Sequence, residues 1–389
     1  MHKITILILL VLIIPDIYIY FLHIKSCTYK RYFKWAYILP TVILLAIYGY
    51  FTCIGGENML AHHASGIGRF AIGVLLVSVP KIIFILFSLL GFITRVICKR
   101  CPLRYFTHVG IFFSLGIFFC LLYGATIGVR NFEVKEVSIS SPDIPDGFNG
   151  YRILQLSDLH LGSWSTEKRT IERLVHLVNE QHADVILFTG DLVNQRSHEL
   201  EGFTEMLSTL KANDGIYSVL GNHDYGDYYR WPTKELKEEN LKRLKQMQAD
   251  MGWKLLNNEH VMLHHQGDSI ALIGVENDGE PPFPQYADLK HASKDTEQLF
   301  AVLMSHNPTH WRREVLNDSH IQLMLSGHTH AMQSTLFGRS LAELKYNEWS
   351  GLYKQDNRAL YVNIGIGYVG LPFRFMANPE ITVITLCKQ

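Results

Sequence analysis

The sequence predicts an N-terminal bundle of four transmembrane α-helices followed by an α/β domain. Three observations predict it. Four long apolar stretches, roughly residues 4–24, 36–55, 70–94 and 106–128, stand before residue 130. Charge is segregated: residues 1–130 hold 12 Lys/Arg against Asp16 and Glu57 alone, and the remainder holds 24 against 34 Asp/Glu. From Tyr151 onward, short apolar runs alternate with polar clusters. The chain's overall balance, 36 basic against 36 acidic residues, is therefore a cancellation between two unlike objects. A hydrophobic content of 48% with 19% charge excludes a wholly disordered chain, and no Gly-X-Y period is present.

Each apolar stretch reaches the roughly 20 helical residues that hydrocarbon requires at about 1.5 Å rise per residue. The first carries Lys3 but no small-residue cleavage site, and another apolar run, Ile17–Leu22, follows Pro15-Asp16. It reads as a retained helix, not a leader. Asp16 and Lys81 fall inside spans, where charge is costly; they are functional candidates, or else they pair with each other or snorkel. Lys25, Lys30, Arg31 and Lys34 follow the first span, and Arg95, Lys99, Arg100 and Arg104 follow the third. The positive-inside bias puts both loops in the cytoplasm, so the C-terminal domain is expected outside it, the membrane being the cytoplasmic one if the cell is bacterial. Five of the six cysteines lie in this half. Cys98-Lys-Arg-Cys101 lacks the second pair that a zinc site needs and reads as chance spacing.

Residues 131–150 read as a linker and entry strand, punctuated by Pro142 and Pro145, and residues 151–389 as the α/β domain. Apolar runs at 152–156, 185–188, 216–220, 300–304 and 321–325 are bounded by Gly and polar residues, as buried strands are. Between the first two, Ile171, Leu174, Val175 and Val178 recur at helical spacing, so the sheet is largely parallel and covered. Residues 232–251 read as a charged surface helix. Loops at the C-terminal ends of parallel strands converge and carry the site.

Every such loop here is polar: Asp158-x-His160, Gly190-Asp191, Gly221-Asn222-His223-Asp224, His306 and Gly327-His328-Thr329-His330. Imidazoles mixed with carboxylates and an amide suit Mn, Fe or Zn, not Ca. One carboxylate can bridge two ions, and ions about 3.5–4 Å apart can clamp a phosphoryl displacement. Singly, each cluster fits an ordinary turn. Together, five clusters follow five strand-like runs in order, within about 175 residues. The other nine histidines of this half lack that setting and read as surface or core residues.

The segments SDLHLG, GDLV, GNHDY, SHNP and SGHTH resemble the calcineurin-like metallophosphoesterases, in particular a membrane-anchored branch, over roughly residues 150–389. The resemblance implies a four-layer α/β/β/α sandwich with two mixed sheets and a dinuclear site on its loops. It implies that Asp158, His160, Asp191 and His330 hold one divalent ion. Asp191, Asn222, His306 and His328 would hold the other, with Asp191 bridging. His223 becomes the general acid and Asp224 its orienting carboxylate. The expected reaction is attack by a metal-activated hydroxide on a phosphomonoester or phosphodiester. A lipid-linked phosphoester is the expected substrate class because the spans hold the site near a bilayer, and a soluble diester is the alternative. A non-catalytic sensor module is the competing class, and the complete ligand set with His223-Asp224 argues against it. The acidic balance argues against nucleic acid as a partner. No motif speaks to oligomeric state. Ala331-Met332-Gln333 stands where the branch often has Gly-Gly-Gln, so side chains are expected to reshape the substrate mouth. Arg374 is expected either to contact substrate phosphate or to pair with Glu380.

Overall fold

The computed structural model describes residues 2–25, 27–28, 30–54, 64–99 and 102–389; Glu57, Arg100 and Cys101 lie outside them. Two compact units emerge, Met1–Ile127 with Gly370–Phe375, and Gly128–Val369 with Met376–Gln389.

In the first unit, helices α1 (His2–Ile19), α2 (Leu39–Ile54), α3 (Ala64–Ile97) and α4 (Leu103–Thr126) form the body of four segments long and apolar enough to cross a membrane, Thr5–Ile24, Lys34–Cys53, Gly66–Ile97 and Leu103–Arg130. Large apolar side chains such as Ile14, Ile43, Leu86, Ile93, Phe112 and Phe119 are exposed around the bundle, as hydrocarbon-facing residues must be. Polar side chains turn inward. Lys81 Nζ donates to Asp16 Oδ1 at 2.5 Å and to Thr41 Oγ1 at 3.1 Å, so three helices meet at one ion pair. The Tyr37 hydroxyl donates to the Asp16 carbonyl. Ser88 Oγ lies 3.0 Å from the Tyr18 hydroxyl and 2.8 Å from His23 Nε2. The segment Gly370–Phe375 belongs here: the Arg374 N–H donates to the Gly124 carbonyl at 3.0 Å, and Phe375 meets Tyr123 edge-on.

The second unit holds two six-stranded mixed sheets. The first runs β1 (Glu133–Ser141), β12 (Glu380–Lys388), β2 (Arg152–Leu156), β3 (Val185–Phe188), β4 (Ile216–Ser218) and β5 (Trp253–Leu255), in that spatial order. The second runs β10 (Gly351–Gln355), β11 (Arg358–Val362), β9 (Leu323–Ser326), β8 (Ala301–Met304), β7 (Asp268–Gly274) and β6 (Glu259–His265). The strands β2–β5 pair in parallel, as do β7, β8, β9 and β11. Period-2 alternation splits each strand between two cores. Ile153, Val185 and Leu187 meet Leu272, Val302 and Leu325 between the sheets. Their neighbours Leu154, Ile186 and Phe188 face outward onto Ile171, Leu174 and Val178 of α5 (Lys168–Asn179) and Leu244 of α6 (Lys234–Asp250). On the far side Ile273, Leu303 and Met324 pack against Trp311, Val315 and Leu289. The result is four layers, helix, sheet, sheet, helix. Each fully buried aliphatic side chain contributes about 1.5–3 kcal/mol.

The stretch read as a linker and entry strand supplies β1, nine residues paired in parallel with the C-terminal strand. Partners 247 positions apart leave no local signature. The charged helix α6 has a buried seam, Asn240, Leu244 and Gln248, beneath its solvated face. Two parallel neighbourhoods, β2–β3–β4 and β8–β9, end toward the same region, where Gln155 Nε2 donates to the Ser326 carbonyl across the sheets at 2.8 Å.

Candidate metal centre

Five loops leave the C-terminal ends of β2, β3, β4, β8 and β9, and each delivers its polar residues at once. Asp158, His160 and His330 form one buried group whose ligand-capable atoms lie within 4.8 Å of one another; Asp191, His306 and His328 form a second. In the first, His160 Nε2 lies 3.1 Å from His330 Nε2, and Asp158 Oδ1 lies 3.2 Å from His330 Nε2 and 3.9 Å from His160 Nε2. In the second, His306 Nε2 lies 3.2 Å from Asn222 Oδ1 and 3.3 Å from His328 Nδ1. Asp191 Oδ2 faces both groups, 3.6 Å from His160 Nε2 and 3.2 Å from His306 Nε2. The structure thus brings together all seven residues expected as ligands.

Backbone geometry explains how short loops achieve this. Asp158, His160, Asp191, His328 and His330 all adopt left-handed conformations, with φ from 47° to 74°. Such a conformation costs a non-glycine residue about 1–2 kcal/mol. The surrounding packing must enforce it. Two glycines permit the approach. A Cβ on Gly190, itself at φ 98°, would come within 2.8 Å of His306 Nδ1. One on Gly327 would lie 2.3 Å from Asp158 Oδ2.

Hydrogen bonds fix the rings. His306 Nδ1 donates to the Thr189 carbonyl at 2.8 Å, which turns Nε2 toward Asp191 and Asn222. His328 Nε2 sits 3.0 Å from the Tyr346 hydroxyl, and its ring meets Phe283 edge-on. Asn222 Nδ2 donates to the Tyr228 hydroxyl at 2.9 Å, which aims its amide oxygen at the second group. Backbone N–H groups hold the carboxylates: His223 donates to Asp191 Oδ1 at 2.8 Å, and His328 to Asp158 Oδ2 at 3.0 Å.

Protonation follows position. Burial opposes charge on Asp158 and Asp191, yet facing imidazoles hold both carboxyls below the ordinary range, His330 for Asp158 and His306 for Asp191. Burial lowers His160, and burial with the nearby His306 lowers His328 to about 3. His306 resists burial because Asp191, then Asp158, raise it to about 9. Ionised carboxylates and neutral imidazoles are the forms that donate lone pairs to a cation, so Asp158, Asp191, His160 and His328 stand ready, and His306 gives up a proton on ligation. The ring nitrogens 3.1 Å apart beside a carboxylate form a buried, electron-rich spot that fits one.

His223 is half-buried beside both groups, its ring 4.8 Å from that of His160 and 4.4 Å from that of Tyr228. The expectation that Asp224 orients this ring is corrected. His223 Nδ1 bonds the Asn194 carbonyl at 2.6 Å. Asp224 points away and accepts four backbone N–H groups, from Asp191, Leu192, Val193 and Gly221. A short carboxylate next to His223 in sequence satisfies the turn before it can reach the ring. Burial and the Asp191 charge push its carboxyl up to about 7, against those donors. Arg374 is fully buried, its backbone N–H bonded to the Gly124 carbonyl, and Glu380 pairs with Lys135 at 2.6 Å. Ala331 and Met332 lie in left-handed conformations; Ala331 is buried, and Met332 is exposed.

Sequence reasoning did not single out Asn194, Glu199, Tyr228, Phe283 or Tyr346. Glu199 holds the Asn194 loop through the N–H groups of Asn194, Gln195 and Arg196. An acid three residues into a helical turn is the one local signal among them. A third cluster, Asp278, His310 and Glu314, also has ligand spacing. It already contains a cation, because the Arg313 guanidinium contacts Asp278 and lies 3.6 Å from Glu314.

Comparison with known proteins agrees with this geometry. The calcineurin-like phosphoesterase family matches residues 151–332, and the transmembrane domain of a probable calcineurin-like phosphoesterase matches residues 2–129. The uncharacterized metallophosphoesterase YkuE of Bacillus subtilis is 31% identical over 259 residues, covering 65% of this chain and 85% of its own. YkoQ of the same organism is 29% identical, covering 68% and 94%. A Danio rerio transmembrane protein with metallophosphoesterase domain is 31% identical, covering 68% of this chain and 60% of its own.

Proposed function

We propose a reaction for this chain, which belongs to the calcineurin-like metallophosphoesterases and is a multi-pass membrane protein: hydrolysis of a phosphoester at a centre of two divalent cations. Asp158, His160 and His330 would hold one, and Asn222, His306 and His328 the other, with Asp191 shared. The supporting observation is Asp191 Oδ2, one oxygen facing both groups at 3.6 and 3.2 Å. When bound, such cations polarise phosphoryl oxygens and bring the pKa of water toward neutrality.

The chain's own residues do the rest. With Nδ1 engaged by Asn194, the His223 ring has Nε2 for protonating the departing alkoxide as the P–O bond breaks. Tyr228 against that ring limits its motion. Tyr346, held neutral by burial that pushes its phenol up to about 12, can accept the His328 Nε2 proton and leave Nδ1 for ligation. Mn, Fe and Zn all suit this donor set. The bilayer held by the four spans supports a lipid-linked phosphoester as substrate. The basic residues Lys25, Lys30 and Lys34, with Arg95, Lys99 and Arg104, support an extracytoplasmic catalytic unit.

The test is a screen of the purified full chain with Mn, Zn, Fe and Mg against phosphomonoesters, diesters and lipid pyrophosphates, with metal content measured alongside. His223→Ala should retain metal and lose turnover by about 10²–10³-fold. Bound metal without hydrolysis of any phosphoester would replace this reading with a binding module. A reporter at Gln389 that works only in the cytoplasm would reverse the orientation.

A further inference from the structure

The loop after the last ligand, residues 332–345, is not used by the chemistry above. It is built to be rigid. Leu336 and Arg339 close a tight turn through two backbone hydrogen bonds, and Ser340 Oγ donates to the Ala331 carbonyl at 2.6 Å. Gln333 Oε1 accepts the Val369 N–H at 2.6 Å, and Thr335 Oγ1 donates to the Met376 carbonyl at 2.6 Å. Yet this bonded excursion presents apolar side chains to solvent. Phe337 is 90% exposed, Leu344 86%, Leu341 65% and Leu336 57%. Leu341 and Leu344 share one side of a 3₁₀ turn. Among the described residues of the second unit, eleven large apolar or tyrosine side chains are exposed; five lie between Met332 and Leu344, and Val369 and Met376 are two more.

A soluble surface seldom concentrates exposed aliphatic and aromatic residues on one rigid loop without a partner for them. We propose that residues 332–345 are a bilayer-contact element, whose apolar tip enters the acyl boundary of the membrane that the same chain spans. Three further observations select a lipid surface over a protein. Only six residues separate the last membrane helix, ending at Thr126, from β1 at Glu133, so the unit is held beside a bilayer at high effective concentration. Val369 and Met376, which the excursion bonds, are the covalent neighbours of Gly370–Phe375, a segment packed with the spanning helices. The polar residues fit a phospholipid headgroup layer: Arg339 and Lys345 are basic, and the one acid between Ala331 and Tyr346, Glu343, is paired with Arg339.

The excursion also leads to the metal centre. Lys345 Nζ lies 4.8 Å from the Phe283 ring and 5.5 Å from that of Tyr346, and both rings touch His328. A phosphoester drawn from the membrane would pass from the apolar tip, over this cation, to the ligands. That last step rests on the hydrolase reading; the bilayer contact does not.

The test uses the full chain in nanodiscs of phosphatidylcholine and phosphatidylglycerol, with or without brominated acyl chains. In Phe337→Trp the added fluorescence should fall by about half on bromination. A Lys234→Trp control, at a side chain 84% exposed on α6, should not respond. Added fluorescence at position 337 that ignores bromine overturns the proposal. So does a reversible dimer in sedimentation that buries position 337, since the occupant is then a second copy. As a functional arm, Phe337→Asp with Leu344→Asp should slow hydrolysis of a long-chain lipid phosphoester about tenfold and leave a water-soluble aryl diester unaffected. Equal loss on both substrates overturns lipid delivery. Bromine quenching needs no turnover, so failure of the hydrolase reading is seen separately.

Discussion

The membrane bundle and the α/β unit each bury carboxylates, and they neutralise them differently. Asp16 is 5% exposed and meets the Lys81 ammonium, so the bundle closes its charge internally. Asp158 and Asp191 are as deeply buried, but their ion pairs are all with imidazoles. An imidazole is a weak, titratable cation, while lysine is a permanent one. One arrangement is closed by a lysine; the other rests on imidazoles, which can surrender their protons. The Asp278 cluster shows the intermediate case, where Arg313 provides the charge. Ligand spacing alone therefore does not identify a metal centre. The balance of fixed charge around the carboxylates is what separates this candidate from the other two.

Breaking the open arrangement should have the largest effect. Asp191→Ala removes the atom shared by both groups, and should lower kcat/KM by about 10³-fold or more while metal analysis shows the centre depleted. Retained activity with retained metal would make the two groups independent. Breaking the closed arrangement should cost stability, not chemistry. Asp16→Ala leaves Lys81 uncompensated and should destabilise the detergent-solubilised chain by about 3 kcal/mol, seen in thermal unfolding. Asp16→Ala with Lys81→Met should recover most of that loss; if it does not, the pair has a role beyond charge balance.

A smaller effect sharpens the description of the open site. Glu199→Ala frees the loop whose Asn194 carbonyl holds His223, so kcat should fall about tenfold to a hundredfold with metal content unchanged. The smallest is a gain. Ala331→Gly relieves one left-handed residue, and, after the entropy of glycine in the unfolded chain, should add about 0.5 kcal/mol, a rise in Tm of about 1–2 °C. A loss in Tm would mean that packing of the buried Ala331 methyl outweighs the strain.

Much of the architecture is legible in the residues because its causes are local. Hydropathy over one helix length marks the four spans. Apolar runs ending in Gly-Asp or Gly-Asn-His mark the strands and their loops, because those residues suit tight turns beside buried strands. The reading of Asp224 failed for a reason also local in kind: adjacency to His223 suggested a contact, while the turn needed that carboxylate for four N–H groups. The pairing of Glu380 with Lys135 and the parallel pairing of β1 with β12 had no signature to read.

Composition and spacing by themselves determined that this chain has a membrane part and an α/β part, and which residue types crowd the strand ends. Only the tertiary structure decided that one Asp191 oxygen faces both histidine groups, that Asp16 meets Lys81 across 65 positions, and that five left-handed residues aim the site inward. Strand and helix propensity act over a few residues. Charge pairing and shared ligation depend on distances in space, which fall into place only when sheets and helices have packed.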